Sequence, residues 1–91
     1  MTQYTVLWDS EVETRFVDAW IASDSSTRAL LTDIANWIDT NLSIDPNQKG
    51  QEEAPSIRIL AVPISSARVS VANQVFPEDR QVRVIRLVFR K

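Results

Sequence analysis

Apolar and polar positions alternate with different periods along this chain, and the changes of period divide it into elements. Tyr4-Thr5-Val6-Leu7-Trp8 is a β-branched and aromatic run, too short for a stable helix and stopped by Asp9-Ser10, which predicts a first strand. Val12, Phe16, Ala19 and Trp20 then recur at steps of three and four, while Glu13, Arg15 and Asp18 lie away from that stripe. Ser10-Glu11-Val12-Glu13 has capping-box spacing, in which the serine hydroxyl and the glutamate carboxylate satisfy orphan amides reciprocally, so a helix is expected from Ser10. Asp24-Ser25-Ser26-Thr27 is a cluster of N-cap residue types, and Leu30, Ile34, Trp37, Ile38 and Leu42 again repeat at helical spacing. A second helix is expected from about Thr27 to about Leu42, and the short connection makes the pair an antiparallel hairpin.

From Ser43 to Ser56 the pattern lapses into SIDPNQKGQEEAPS, with two prolines, the only glycine and little to bury, which reads as a long surface loop. Beyond it, Ile57 to Pro63, Ala67 to Phe76 and Gln81 to Arg90 are rich in Val and Ile and separated by short turns, the signature of an antiparallel meander. In the middle strand Val69, Val71 and Val75 share one face and Arg68, Ser70, Ala72 and Gln74 the other. The last strand offers two registers, because Arg83, Ile85, Leu87 and Phe89 alternate with Val82, Val84, Arg86, Val88 and Arg90. Bulk favours Ile85, Leu87 and Phe89 inward, which puts Arg86 and Arg90 on the open face with Arg68. The expected architecture is α+β, in the order β-α-α-β-β-β, with a helical hairpin packed on an antiparallel sheet and residues 1–91 forming a single domain.

Composition narrows the chemistry. The 91 residues contain no Cys and no His, which removes disulfide frameworks, thiolate chemistry, Ser/His/Asp hydrolysis and the ordinary metal sites; no metal and no cofactor is expected. Met1-Thr2-Gln3-Tyr4 has neither the basic region nor the apolar core of a signal peptide, and no apolar run approaches a membrane span, so a cytoplasmic protein is expected. A net charge of −2 conceals an asymmetry. Residues 1–54 hold ten acids against Arg15, Arg28 and Lys49, a balance of −7, whereas residues 55–91 hold seven bases against Glu78 and Asp79, a balance of +5. Such a dipole steers an anionic partner to the basic half, or else the two halves neutralise each other across the fold.

Several stretches, in order along nearly the whole chain, resemble the RelE/ParE toxin superfamily. Tyr4-x-Val6-x-Trp8 with Ser10-x-Glu-x-Glu13 is similar to its opening strand and helix cap, and Arg28-Ala29-Leu30-Leu31-Thr32-Asp33 with Ile38-Asp39 to its second helix. Leu42-x-x-Asp45-Pro46-x-x-x-Gly50 is similar to the segment that ends that helix, and Arg58-x-Leu60-x-Val62-Pro63 and Arg68-Val69 to its arginine-bearing strands. The resemblance implies the toxin of a plasmid-stabilisation type toxin–antitoxin pair, with an antitoxin protein as partner. Its target would be translation, through ribosome-dependent mRNA cleavage, or DNA gyrase. The resemblance offers Arg68, Arg58, Arg90 and Lys91 as candidate catalytic residues, cations around the phosphorane formed when a ribose 2′-hydroxyl attacks its own phosphodiester.

Each candidate has a plainer reading beside it. Arg68, Arg86 and Arg90 form either an anion- or partner-binding trio or the solvated face of a sheet whose charges suppress edge pairing. Trp20 and Trp37 lie on apolar stripes and are expected in the core, whereas Trp8 is open to either role. Glu52-Glu53 reads as solvated loop, and neither Asp33 with Asp39 nor Glu11 with Glu13 is spaced to set two carboxylates toward one cleft. With no His, and Tyr4 the only tyrosine, a catalytically inert protein-binding module of the same fold stands as the alternative to a toxin, and monomer and dimer are both left open.

Overall fold

The computed structural model describes residues 3–64 and 68–90, with the side chain of Arg90 outside that description. In chain order the elements are β1 (Thr5–Trp8), α1 (Ser10–Ala22), α2 (Ser25–Leu42), a 3-10 turn (Pro46–Gln48), β2 (Gln51–Ala54), β3 (Ile57–Val62), β4 (Arg68–Phe76) and β5 (Gln81–Arg90). The strands form one sheet in the order β1-β5-β4-β3-β2. Three of its four pairings are antiparallel, but β1 runs parallel to β5, with Thr5 opposite Gln81 and Trp8 opposite Val84. The sheet is therefore mixed rather than wholly antiparallel, because the helical hairpin carries the chain across one face between β1 and the meander.

The helices are set by their ends. Asp24 caps α2, its carboxylate accepting from the Thr27 amide at 2.8 Å, which starts the helix two residues before the expected Thr27. At α1 the cap position falls on Asp9, Ser10 is already helical, and no side-chain capping bond forms, so the capping-box reading of Ser10 and Glu13 does not hold. The far end of α1 is closed by Arg28, which donates to the carbonyls of Trp20 and Ile21 at 2.9 and 2.7 Å and stacks on the Trp20 ring at 4.8 Å. A guanidinium satisfies orphan carbonyls and the negative helix end together.

The core lies between α2 and the inner face of the sheet. Ile34, Ile38 and Leu42 meet Val62, Val69, Val71, Val75, Val82 and Val84, all at most 4% exposed, and each fully buried side chain contributes roughly 1.5–3 kcal/mol. Tyr4 is buried in the same cluster, and Trp8, Trp37 and Leu30 pack against it half-buried. Trp8 stands edge-on to Phe16 at 5.4 Å and donates its indole N–H to Asp39. Trp20 departs from expectation: it is 38% exposed and its indole N–H donates to Thr32, so it covers the hairpin rather than filling the core.

The stretch expected as a loop is more ordered than its composition suggests. Pro46 is fully buried, Gln51–Ala54 pairs with β3, and Gly50 adopts φ +71°, where a Cβ would lie 2.1 Å from the Ile59 carbonyl oxygen. On β5 the expectation of a single inward set is half right. Asn73 pairs with Val84 and Ala72 with Arg86, so Ile85 is an extra residue, a β-bulge. Before it Val82 and Val84 point inward at 0% exposure; after it Leu87 opposes Val71 and Phe89 opposes Val69 on the same face.

Candidate functional site

The bulge decides what the uncovered face of the sheet presents. On β4 the outward residues are Arg68, Ser70, Ala72, Gln74 and Phe76, and the ladder sets Val88 opposite Ser70, Arg86 opposite Ala72 and Arg83 opposite Gln74. β3 continues the same rows with Ala61, Ile59 and Ile57, and on the other flank Leu7 of β1 lies opposite Arg83. The face thus has an apolar and small-residue floor, in which Ala72 is only 3% exposed and Ile57, Ile59 and Val88 are half-buried. Arg68, Arg83 and Arg86 stand exposed upon it.

Two of the three expected anion-binding residues, Arg68 and Arg86, are brought to this face, and the register places position 90 opposite Arg68. Arg83 was missed. Inward placement of Ile85, Leu87 and Phe89 in an unbroken strand would have carried Arg83 inward too, whereas the bulge turns it outward beside the others. A signal was present: in Val82-Arg83-Val84-Ile85-Arg86-Leu87 two adjacent apolar residues interrupt the alternation, which marks a phase slip.

Arg58 lies elsewhere. It is half-buried on the inner side of the ladder, opposite Asn73, and donates to the carbonyls of Lys49 and Gly50 at 2.8 and 3.1 Å. Lys49 in turn donates to the Asn41 carbonyl at the end of α2, so both cations fasten the turn ahead of β2. Lys91 lies outside the described residues.

The electrostatics of the face follow from what surrounds the arginines. Among the described residues the ion pair formed is Arg15 with Glu11, on the solvent side of α1, and no carboxylate pairs with Arg68, Arg83 or Arg86. Three guanidiniums held on neighbouring strands without counter-charges repel one another and are relieved by an anion. Each offers a planar fork that grips phosphate or carboxylate bidentately, and Ser70 and Gln74 add neutral hydrogen-bonding groups between them. The tyrosine that could have moved a proton, Tyr4, is 7% exposed and belongs to the core.

These features define a class, that of a two-helix hairpin backing a mixed five-stranded sheet whose other face is open and basic. Among solved structures the chain is similar to the toxin RelE of E. coli, a double-arginine mutant in the free state. The TM-score is 0.61 and the identity 15%, over 96% of this chain and 82% of that one. The chain has the RelE fold. No protein-family model and no curated protein matches it. No helix among the described residues is long and apolar enough to cross a membrane.

Proposed function

We propose that this protein is the toxin of a toxin–antitoxin pair, that it acts on translation, and that its open basic face receives the anionic partner. The observation that carries the reading is the unpaired set Arg68, Arg83 and Arg86 on the uncovered face of a RelE fold. An RNA backbone laid across the sheet meets guanidiniums at its phosphates and the apolar floor beneath its sugars and bases. As a ribose 2′-oxygen attacks the adjacent phosphorus and the 5′-oxygen leaves, charge grows on the non-bridging oxygens, and preorganised guanidiniums stabilise that charge most. An acidic antitoxin segment satisfies the same forks with carboxylates and competes for the face.

A second reading, the inert binding module, is favoured by one observation. On β3, β4 and β5 the outward side chains among the described residues are arginine, glutamine, serine and apolar groups, with Tyr4 in the core, so on these strands proton transfer has to come from the partner or from solvent. Gyrase is the further alternative target. The experiment is the triple exchange of Arg68, Arg83 and Arg86 to Gln, with circular dichroism to verify the fold. Growth on expression, mRNA scission on translating ribosomes and antitoxin capture are scored in parallel. The toxin reading expects growth arrest and scission to vanish together. Growth arrest that persists in the folded variant removes the basic face from the mechanism, and antitoxin capture without scission in the unmodified protein favours the module.

A further inference from the structure

Where β1 runs into the helical hairpin a recess of about 260 Å³ is left, lined by Trp8 at the end of the strand, Glu13 and Phe16 of α1, and Ala35 and Asp39 of α2. Trp8 pairs with Val84, whose side chain is in the core, so the recess lies on the helix side of the sheet, away from the arginine face. Two of its walls are aromatic and two are carboxylates. The rings of Trp8 and Phe16 are half-buried and stand at 63° to one another with centroids 5.4 Å apart. Asp39 accepts the Trp8 indole N–H at 2.8 Å through Oδ1, which fixes the ring and leaves Oδ2 without a partner among the described residues. Glu13 is exposed one turn before Phe16, and no Lys or Arg among the described residues pairs with either carboxylate.

We propose that this recess binds a guanidinium group, which stacks on the aromatic wall while Glu13 and Asp39 accept its N–H groups. The face of an aromatic ring attracts a cation through its quadrupole, and the indole does so best. Two carboxylates without counter-charges add to that attraction. A planar guanidinium can stack and donate in one plane at the same time, whereas an ammonium is a more strongly hydrated point charge that does not stack. The chain already makes this contact at the closed end of the hairpin, where Arg28 lies over Trp20 at 4.8 Å and donates to two backbone carbonyls. At the open end the ring and the oxygen acceptors are present, and the described residues supply no cation to them. The group arrives either on a free small molecule or on an arginine of another polypeptide. None of the five lining residues belongs to the basic face, so the inference holds whatever that face acts on.

The test is N-acetyl-arginine methylamide titrated into the full-length 15N-labelled protein, with the indole N–H signals of its three tryptophans as reporters. Occupation of the recess shifts the Trp8 indole and the amides of Glu13, Ala35 and Asp39. The indoles of Trp20, bonded to Thr32, and of Trp37 stay in place. The citrulline analogue keeps the shape and loses the charge, and should bind at least about tenfold more weakly. Glu13→Gln, a change at an exposed position, should weaken the arginine derivative about threefold, with circular dichroism to verify the fold. A short peptide with one central arginine between alanines separates the two sources. Binding about tenfold tighter than that of the free derivative assigns the group to a polypeptide and equal binding to a small molecule, and either result upholds the site. Equal binding of the citrulline analogue, unaltered affinity in the folded Glu13→Gln variant, or an unmoved Trp8 indole would overturn the proposal.

Discussion

Asn73→Leu exchanges one buried polar side chain for an apolar one of the same branching, at the point where β5 bulges. Asn73 is 1% exposed, and neither its Oδ1 nor its Nδ2 has a hydrogen-bond partner. Its neighbours on the inward face, Val71 and Val75, and its β5 neighbour Val84 are at most 4% exposed, while Arg58 across from it on β3 gives its guanidinium to the Lys49 and Gly50 carbonyls instead. Leaving such a group unsatisfied costs about 1–3 kcal/mol, and the replacement forfeits no hydrogen bond. A misfit of shape returns up to about 1 kcal/mol of that gain. The net expectation is a stabilisation of roughly 1–2 kcal/mol, which in a domain of this size raises the melting temperature by about 4–8 °C per kcal/mol. Thermal and urea unfolding followed by circular dichroism provide the measurement, with an unchanged urea m-value showing that the unfolded reference has not moved. Asn73→Ala separates the two contributions, since it removes the amide but leaves space and so gains less. A folded Asn73→Leu variant less stable than the starting protein by about 1 kcal/mol or more would refute the reasoning, and would mean that the amide is hydrogen-bonded in solution.

Gly50→Ala forces a side chain into a left-handed conformation and against the Ile59 carbonyl, and a loss above about 2 kcal/mol in urea unfolding is expected. Ile38→Ala, at 0% exposure, should cost about 2–5 kcal/mol, and Trp20→Ala less than Ile38→Ala despite the larger side chain, a ranking that the two denaturation midpoints settle. The Asp24 carboxyl is held below its ordinary value, first by the bond from the Thr27 amide, so its contribution is present above the unfolded carboxylate range and disappears as pH falls through the lower folded value. Asp24→Asn keeps a capping oxygen without titrating there, and should flatten that part of the acid limb in pH-dependent melts.

What was legible in the chain was whatever rests on local periodicity. The stripe of Leu30, Ile34, Trp37, Ile38 and Leu42 located α2 because one helix face must meet the sheet, and the alternation around Val69, Val71 and Val75 located the inward face of β4. Three things escaped because they depend on partners distant in sequence. β2 is a polar QEEA segment with no strand signature, and it is a strand only because β3 offers it an edge, with Arg58 and Gly50 fixing the approach. Trp20 lies on the helical stripe, yet its ring is met by Arg28 and its indole N–H by Thr32, both from α2, rather than by the core. On the candidate face Arg68 and Arg86 could be placed by alternation alone. Arg83 could not, because its side was settled by one inserted residue two positions further on.

That inserted residue links core, face and edge. A β5 without Ile85 keeps one phase from Gln81 to Arg90 and has to choose: with Val82 and Val84 inward, Leu87 and Phe89 go to solvent, and with Leu87 and Phe89 inward, Arg83 is driven into the valine core without a partner. The bulge removes the choice, so both ends of the strand turn apolar side chains to the inner face while Arg83 and Arg86, three residues apart, both face outward. It also falls one residue past Val84, where β1 has already ended, so the extra residue need not be matched by a neighbour on that side. Bulges sharpen local twist, and a strand bent at Ile85 with no flanking partner leaves room beside α1 for the groove lined by Leu87 and Phe89. The same local irregularity therefore sets Arg83 and Arg86 of β5 on the face that Arg68 of β4 also occupies, while Val82, Val84, Leu87 and Phe89 keep to the other.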